Sequence, residues 1–155
     1  MRAALLPRAW AEWVGRVPWD AFWVLTFDPE RVRSVSRESA EYEAYRWLAF
    51  LGYLGRRPVG WIAAVELGRG GAWHVHVLTV GLPKALRPMA KDVWMTRNGY
   101  VSVRGASQSD GAVLYSTKKA AAEGTVLFSD TLDRYLTRSA TGTPRPVTGD
   151  GSVSA

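Results

Sequence analysis

The two histidines of this 155-residue chain stand one residue apart, at His74 and His76 in "AWHVHVLTV". Alternate residues of a β-strand point to one face, so on a strand both imidazoles look one way while Trp73, Val75 and Val77 look the other. Imidazoles so placed can share a metal ion; the competing reading is two strand histidines that only make polar contacts. The preceding apolar run, "VGWIAAVEL" (59–67), carries Glu66. Between Ala44 and Ser109 there are nine arginines and lysines but only two acids, Glu66 and Asp92. A lone acid in a basic zone calls for a cationic partner, and a divalent ion is a good one. Two imidazoles and one carboxylate leave coordination positions open, which suits Mg2+, Mn2+ or Zn2+ acting on a phosphate oxygen. The set carries a geometric condition. Glu66 and His74 share a face only if paired residues have an even number sum. A four-residue turn over 68–71 would place Glu66 opposite Trp73. The set therefore needs an odd loop, or a bulge helped by Gly68, Gly70 and Gly71.

The second constellation is "YSTKK", beginning at Tyr115. On a helix, Lys118 and Lys119 lie three and four positions on and flank the tyrosine hydroxyl. The chain has four lysines against sixteen arginines, and two of the four stand here. A cation beside a phenol stabilises phenolate and binds the phosphate it would attack. The bland alternative is a packed tyrosine with solvated lysines, and the motif gains weight only beside the metal set.

The elements that must position these residues follow from pattern. Residues 3–15 read as an amphipathic helix, with Arg8, Glu12 and Arg16 interrupting the apolar run, so the segment does not read as a signal peptide. "AFWVLTF" (21–27) is a buried strand. A helix capped by Ser36 or Ser39 runs to about Leu54 on Ala44, Trp47, Leu48, Leu51 and Leu54, and Gly55 and Pro58 end it. Strands over 59–67 and 72–80 flank "GRGG" as a hairpin. Residues 84–96 form a short helix broken or started at Pro88. "GYVSVRGA" (99–106) alternates as a strand, 109–124 is a helix capped by Ser109 or Asp110, and 125–129 is a last short strand. The expected fold is α+β: a central antiparallel sheet of about five strands flanked by helices. One domain covers 1–138, with a helical N-terminal extension over 1–18; 139–155, rich in Gly, Ser, Thr and Pro, reads as a flexible tail or truncated linker. Of the tryptophans, Trp23, Trp47 and Trp61 are expected in the core and Trp73 against a helix, while Trp10, Trp13 and Trp94 are open between packing and base stacking.

Composition narrows the partners. A formal charge of +6 and a basic middle favour a polyanion. No run is long enough to span a bilayer, so no membrane partner is expected. The chain has no cysteine, which rules out disulfides and thiolate metal sites and fits a cytoplasmic location.

Taken in order, "FWVLTF", Glu66, His74-Val75-His76 and Tyr115-Ser116-Thr117-Lys118 resemble the motifs of the HUH endonucleases, specifically the single-tyrosine rolling-circle replication initiators (Rep proteins) of plasmids and phages. The likeness spans roughly residues 20–130. It departs where many such proteins have Lys-Tyr and this chain has Lys118-Lys119, and no Walker A pattern marks a helicase. The resemblance implies an HUH/RRM-like palm. It implies Mg2+ or Mn2+ held by Glu66, His74 and His76, Tyr115 as nucleophile and Lys118 as its helper. It also implies single-stranded DNA at a replication origin as substrate, with a host helicase and polymerase as partners. Lys119, Arg69 and Arg104 are the expected DNA contacts. A single-tyrosine HUH transposase is an alternative within the class. A non-catalytic RRM-like single-strand binder and a metal hydrolase using water are alternatives outside it.

Overall fold

The computed structural model describes residues 12–55, 57–111, 113–114 and 125–135. Most of the expected helix over 3–15, the helix over 109–124 beyond Leu114, and the segment 139–155 lie outside the described residues. The remaining elements form in the expected order: β1 (Ala21–Phe27), α1 (Arg37–Leu54), β2 (Gly60–Leu67), β3 (Trp73–Val80), α2 (Arg87–Arg97), β4 (Gly99–Gly105) and β5 (Thr125–Phe128). The fold is α+β, with one five-stranded antiparallel sheet in the order β4-β1-β3-β2-β5.

Local chemistry sets the boundaries. Ser36, not Ser39, is the N-cap of α1; its hydroxyl accepts from the Ser39 N–H, and the Ser39 hydroxyl accepts from the Ser36 N–H, a reciprocal capping box. A 3-10 turn over Lys84–Leu86 leads into α2, where Pro88 occupies the first turn. There its missing N–H costs nothing, and the expected helix over 84–96 is thus split and runs one residue further.

Period-two alternation divides the sheet into two faces. On one, Ala21, Trp23, Leu25, Ala63, Val65, Val75 and Val77 meet Ala44, Trp47 and Leu51 of α1 and Ala90 and Trp94 of α2. On the other, Ile62, Ala64, Leu78 and Val80 meet Val14, Val17, Trp19, Leu114 and Leu132. With both faces covered, β2 reads as an unbroken apolar run rather than an alternating one. Four tryptophan N–H groups find oxygen partners, as burial requires. Trp23 donates to the Thr79 hydroxyl at 3.0 Å, Trp47 to the Ala90 carbonyl at 2.7 Å, Trp94 to the Thr26 carbonyl at 3.0 Å and Trp19 to the Val14 carbonyl at 3.0 Å. Trp94, open from sequence, is a core residue, edge-on to Trp47 at 6.3 Å. Among the described residues no helix is long and apolar enough to cross a membrane.

Thr79 joins two of these features. Fully buried, it accepts from Trp23 and donates to Asp20 at 3.2 Å. Burial pushes the Asp20 carboxyl above its ordinary range, opposed by the Gly81 N–H, the Thr79 hydroxyl and Arg87. A raised carboxyl pKa favours the fold at acid pH and costs stability as pH rises through the folded value. Thr79→Val keeps the shape but orphans the indole N–H and removes a donor to the carboxylate. It should lower stability by about 1–3 kcal/mol in urea unfolding, and by more at neutral pH than near pH 3, where Asp20 is protonated. An unchanged urea midpoint at both pH values would refute this account.

Candidate active site

The hairpin between β2 and β3 decides whether Glu66 can meet the histidines. Leu67 pairs with Trp73, leaving a five-residue loop over 68–72 in place of a four-residue turn. The Gly68 N–H donates to the Ala72 carbonyl at 2.7 Å, closing the loop in the register of the strands, and the Gly71 N–H donates to the Gly68 carbonyl at 3.0 Å. Gly71 sits at φ +79, the left-handed region that glycine enters without strain. The loop is odd, so Glu66 pairs with His74 and Ala64 with His76. All three candidate ligands then share one sheet face. His76 Nε2 and Glu66 Oε1 lie 2.7 Å apart, with side chains about one-fifth exposed. His74 Nδ1 is buried with no hydrogen-bond partner. The other edge of that ring rests on the loop: a Cβ at Gly68 would lie 2.4 Å from His74 Nε2. The glycine at 68 is therefore a matter of space for His74.

Among the described residues, no three histidine, aspartate or glutamate side chains are already drawn together as a metal ion would hold them. Glu66 and His76 are in contact; His74 stands in the same row as Glu66 with its own nitrogen unmatched. The donor chemistry fits a divalent ion: two imidazole nitrogens, one of them orphaned, and one carboxylate. Glu66, His74 and His76 are the residues that would hold it.

Tyr115, Lys118 and Lys119 lie outside the described residues. The residue before the tyrosine does not. Leu114 is buried on the histidine face, in the cluster with Ile62, Ala64 and Leu78. The helical turn leading to it starts at Asp110, whose carboxylate accepts from the Ser107 N–H at 2.7 Å. Arg104 forks onto the same carboxylate at 2.8 and 3.1 Å and lies 4.4 Å above the Phe22 ring, which in turn is 5.9 Å from His76. Arg104 was expected as a DNA contact; its side chain stays half-exposed while its charge holds the start of this turn. Arg69 is exposed in the hairpin loop. Sequence reasoning missed Gly68 as a spacer for His74 and Phe22 as a packing plate between Arg104 and His76. The alternation of β1 signals the face of Phe22, but its neighbours depend on register. No family model matches this chain, and no match is found among curated proteins or solved structures.

Two outcomes follow. Gly68→Ala must push the His74 ring aside. It should shift the His74 ring signals in NMR spectra while the unfolding midpoint moves little; unchanged His74 signals in that variant would refute the spacer role. The Arg104 guanidinium and the Ser107 groups hold the Asp110 carboxyl down at about 2. A depressed carboxyl contributes stability above its unfolded pKa and loses it as pH falls through the folded one. Asp110→Asn should be less stable than the parent at neutral pH, and the gap should close between about pH 4 and pH 2. A gap that persists at pH 2 would point to a cause other than charge.

Proposed function

We propose that this chain is a metal-dependent, sequence-specific, single-tyrosine endonuclease that nicks and rejoins single-stranded DNA, of the kind that initiates rolling-circle replication. The observation that carries the reading is the even register of the β2–β3 hairpin. It gathers Glu66, His74 and His76 on the sheet face where Leu114, the residue before Tyr115, is buried. The +6 charge supports a polyanionic substrate.

A divalent ion at Glu66, His74 and His76 would polarise the scissile phosphate. The protein's own part is as follows. The Tyr115 oxygen attacks phosphorus in line. The bond to the 3′ oxygen breaks, the phenol proton ends on that oxygen, and the 5′ phosphate remains on the tyrosine. The free 3′-OH can prime a polymerase or attack the phosphotyrosine to rejoin the strand. One phosphodiester is exchanged for another, so rejoining needs no ATP. Lys118, one helical turn from Tyr115 by spacing, neutralises phosphate charge. A phenol with an ordinary pKa near 10 is a weak nucleophile at neutral pH, which is why these cations matter.

A second reading rests on the direct Glu66–His76 contact, which satisfies both groups without an ion. It makes the chain a non-catalytic single-strand binder. The test is incubation with Mn2+ and end-labelled single-stranded DNA, followed by a denaturing gel. The unmodified protein should form a denaturant-resistant adduct that mass spectrometry maps to Tyr115. Tyr115→Phe should bind DNA and form none, His74→Ala/His76→Ala should stay folded and not cut, and Lys118→Ala should be slower. Cleavage by Tyr115→Phe would make the chain a hydrolase using water. Binding without cleavage across a library of single-stranded sequences would leave the binder.

A further inference from the structure

β4 is an edge strand, and its residues 100, 102 and 104 face the same side of the sheet as the histidines. Tyr100 is 62% exposed there. Register makes it more than a stray surface aromatic. Glu66 pairs with His74, His74 with Thr26, and Thr26 with Tyr100. The four residues form one straight row across β2, β3, β1 and β4. Strands lie about 4.8 Å apart, so the Tyr100 backbone stands about 10 Å from that of His74. A few nucleotides of one strand cover that span.

We infer that Tyr100 is a base-stacking residue, and that it holds a nucleobase of single-stranded DNA a short way along the strand from the phosphate at the Glu66, His74 and His76 face. The inference rests on the proposed function and names a contact that function does not require. The surroundings suit it. The neighbouring side chains on that face, Thr26 and Ser102, are small and polar, so the ring face is open to a planar partner. Phe22, the other aromatic on this half of the face, differs: Arg104 covers it and His76 abuts it. The loops at this end of the sheet carry exposed Arg33 and Arg69, cations that favour a phosphate backbone. One aromatic among polar neighbours is too little apolar surface for a protein interface, but it is what stacking on a single base uses.

The test measures binding to the full chain of a fluorescein-labelled single-stranded oligomer of about 15 nucleotides, the tightest binder drawn from a randomised library. Tyr100→Ala should weaken binding about 5- to 100-fold, Tyr100→Leu should behave like it, and Tyr100→Phe and Tyr100→Trp should bind like the parent. All four should unfold at the parent temperature, because the side chain is exposed. A walking abasic site should then show, at one position of the oligomer, no further loss on Tyr100→Ala. That coupling requires stacking and is not expected of a structural residue. Parent binding with an unchanged Tyr100→Ala would overturn the stacking role and leave the proposed function standing. No binding of single strands by the parent would overturn both. A covalent adduct mapped to Tyr100 would overturn it in favour of a nucleophile at that position.

Discussion

The odd count of residues between Leu67 and Trp73 is the constraint on which the candidate site hangs. Side chains on paired strands alternate with period two, so one residue more or fewer in that loop would turn Glu66 toward α1 and leave the histidines with apolar company. The loop is specified by its glycines. Gly71 takes a left-handed conformation, and Gly68 leaves the volume that the His74 ring needs. The residues that shape the turn thus also set the space around His74, which ties the loop to the candidate site more tightly than spacing alone would.

A sheet holds such a row only if it cannot slide or twist against its support, and the tryptophans supply that. Two aromatic contacts in the core are tied to directed bonds. Trp23 lies edge-on to Trp47 at 5.3 Å while bonded to Thr79, and Trp94 lies 5.2 Å from Phe27 while bonded to the Thr26 carbonyl. Apolar burial alone is tolerant of small shifts; indole N–H groups aimed at single oxygens are not. The Trp94 bond is also the one nearest the site. Thr26 presents its side chain beside His74 on one face and its carbonyl to α2, so the helix registers the row from behind. Glu43 of α1 reinforces the same corner. It takes a fork from Arg97 and a bond from Asn98, and Arg97 holds its carboxyl below the ordinary range.

Most of this fold was legible in the sequence because its signals are local. The apolar run of β1, the capping serine and heptad-like spacing of α1, and the alternation of β4 each announce an element without help from the rest. Strand ends were less legible: Ala72 reads as strand by composition, whereas β3 begins at Trp73. Glu66, His74 and His76 were readable as a set only under a stated condition on the loop, and the register meets it. Long-range pairings were not readable. The fork from Arg104 to Asp110 across a bend has no signal in the sequence. Tyr100 looked like any outward strand residue until three successive strand pairings lined it up with His74. Local pattern gives a residue its face; only register gives it neighbours.

The approach of residues 110–114 to the start of the described chain has a consequence of its own. A Cβ on Gly111 would lie 2.5 Å from Trp19 Nε1 and 2.8 Å from the Val14 carbonyl, the two atoms already bonded to each other. The bend at 14–19 is therefore the anvil on which the turn before Tyr115 rests. The two segments stand or fall together: a side chain at 111 would part the Trp19–Val14 bond and loosen Val14, Val17 and Leu114 from the sheet face they cover.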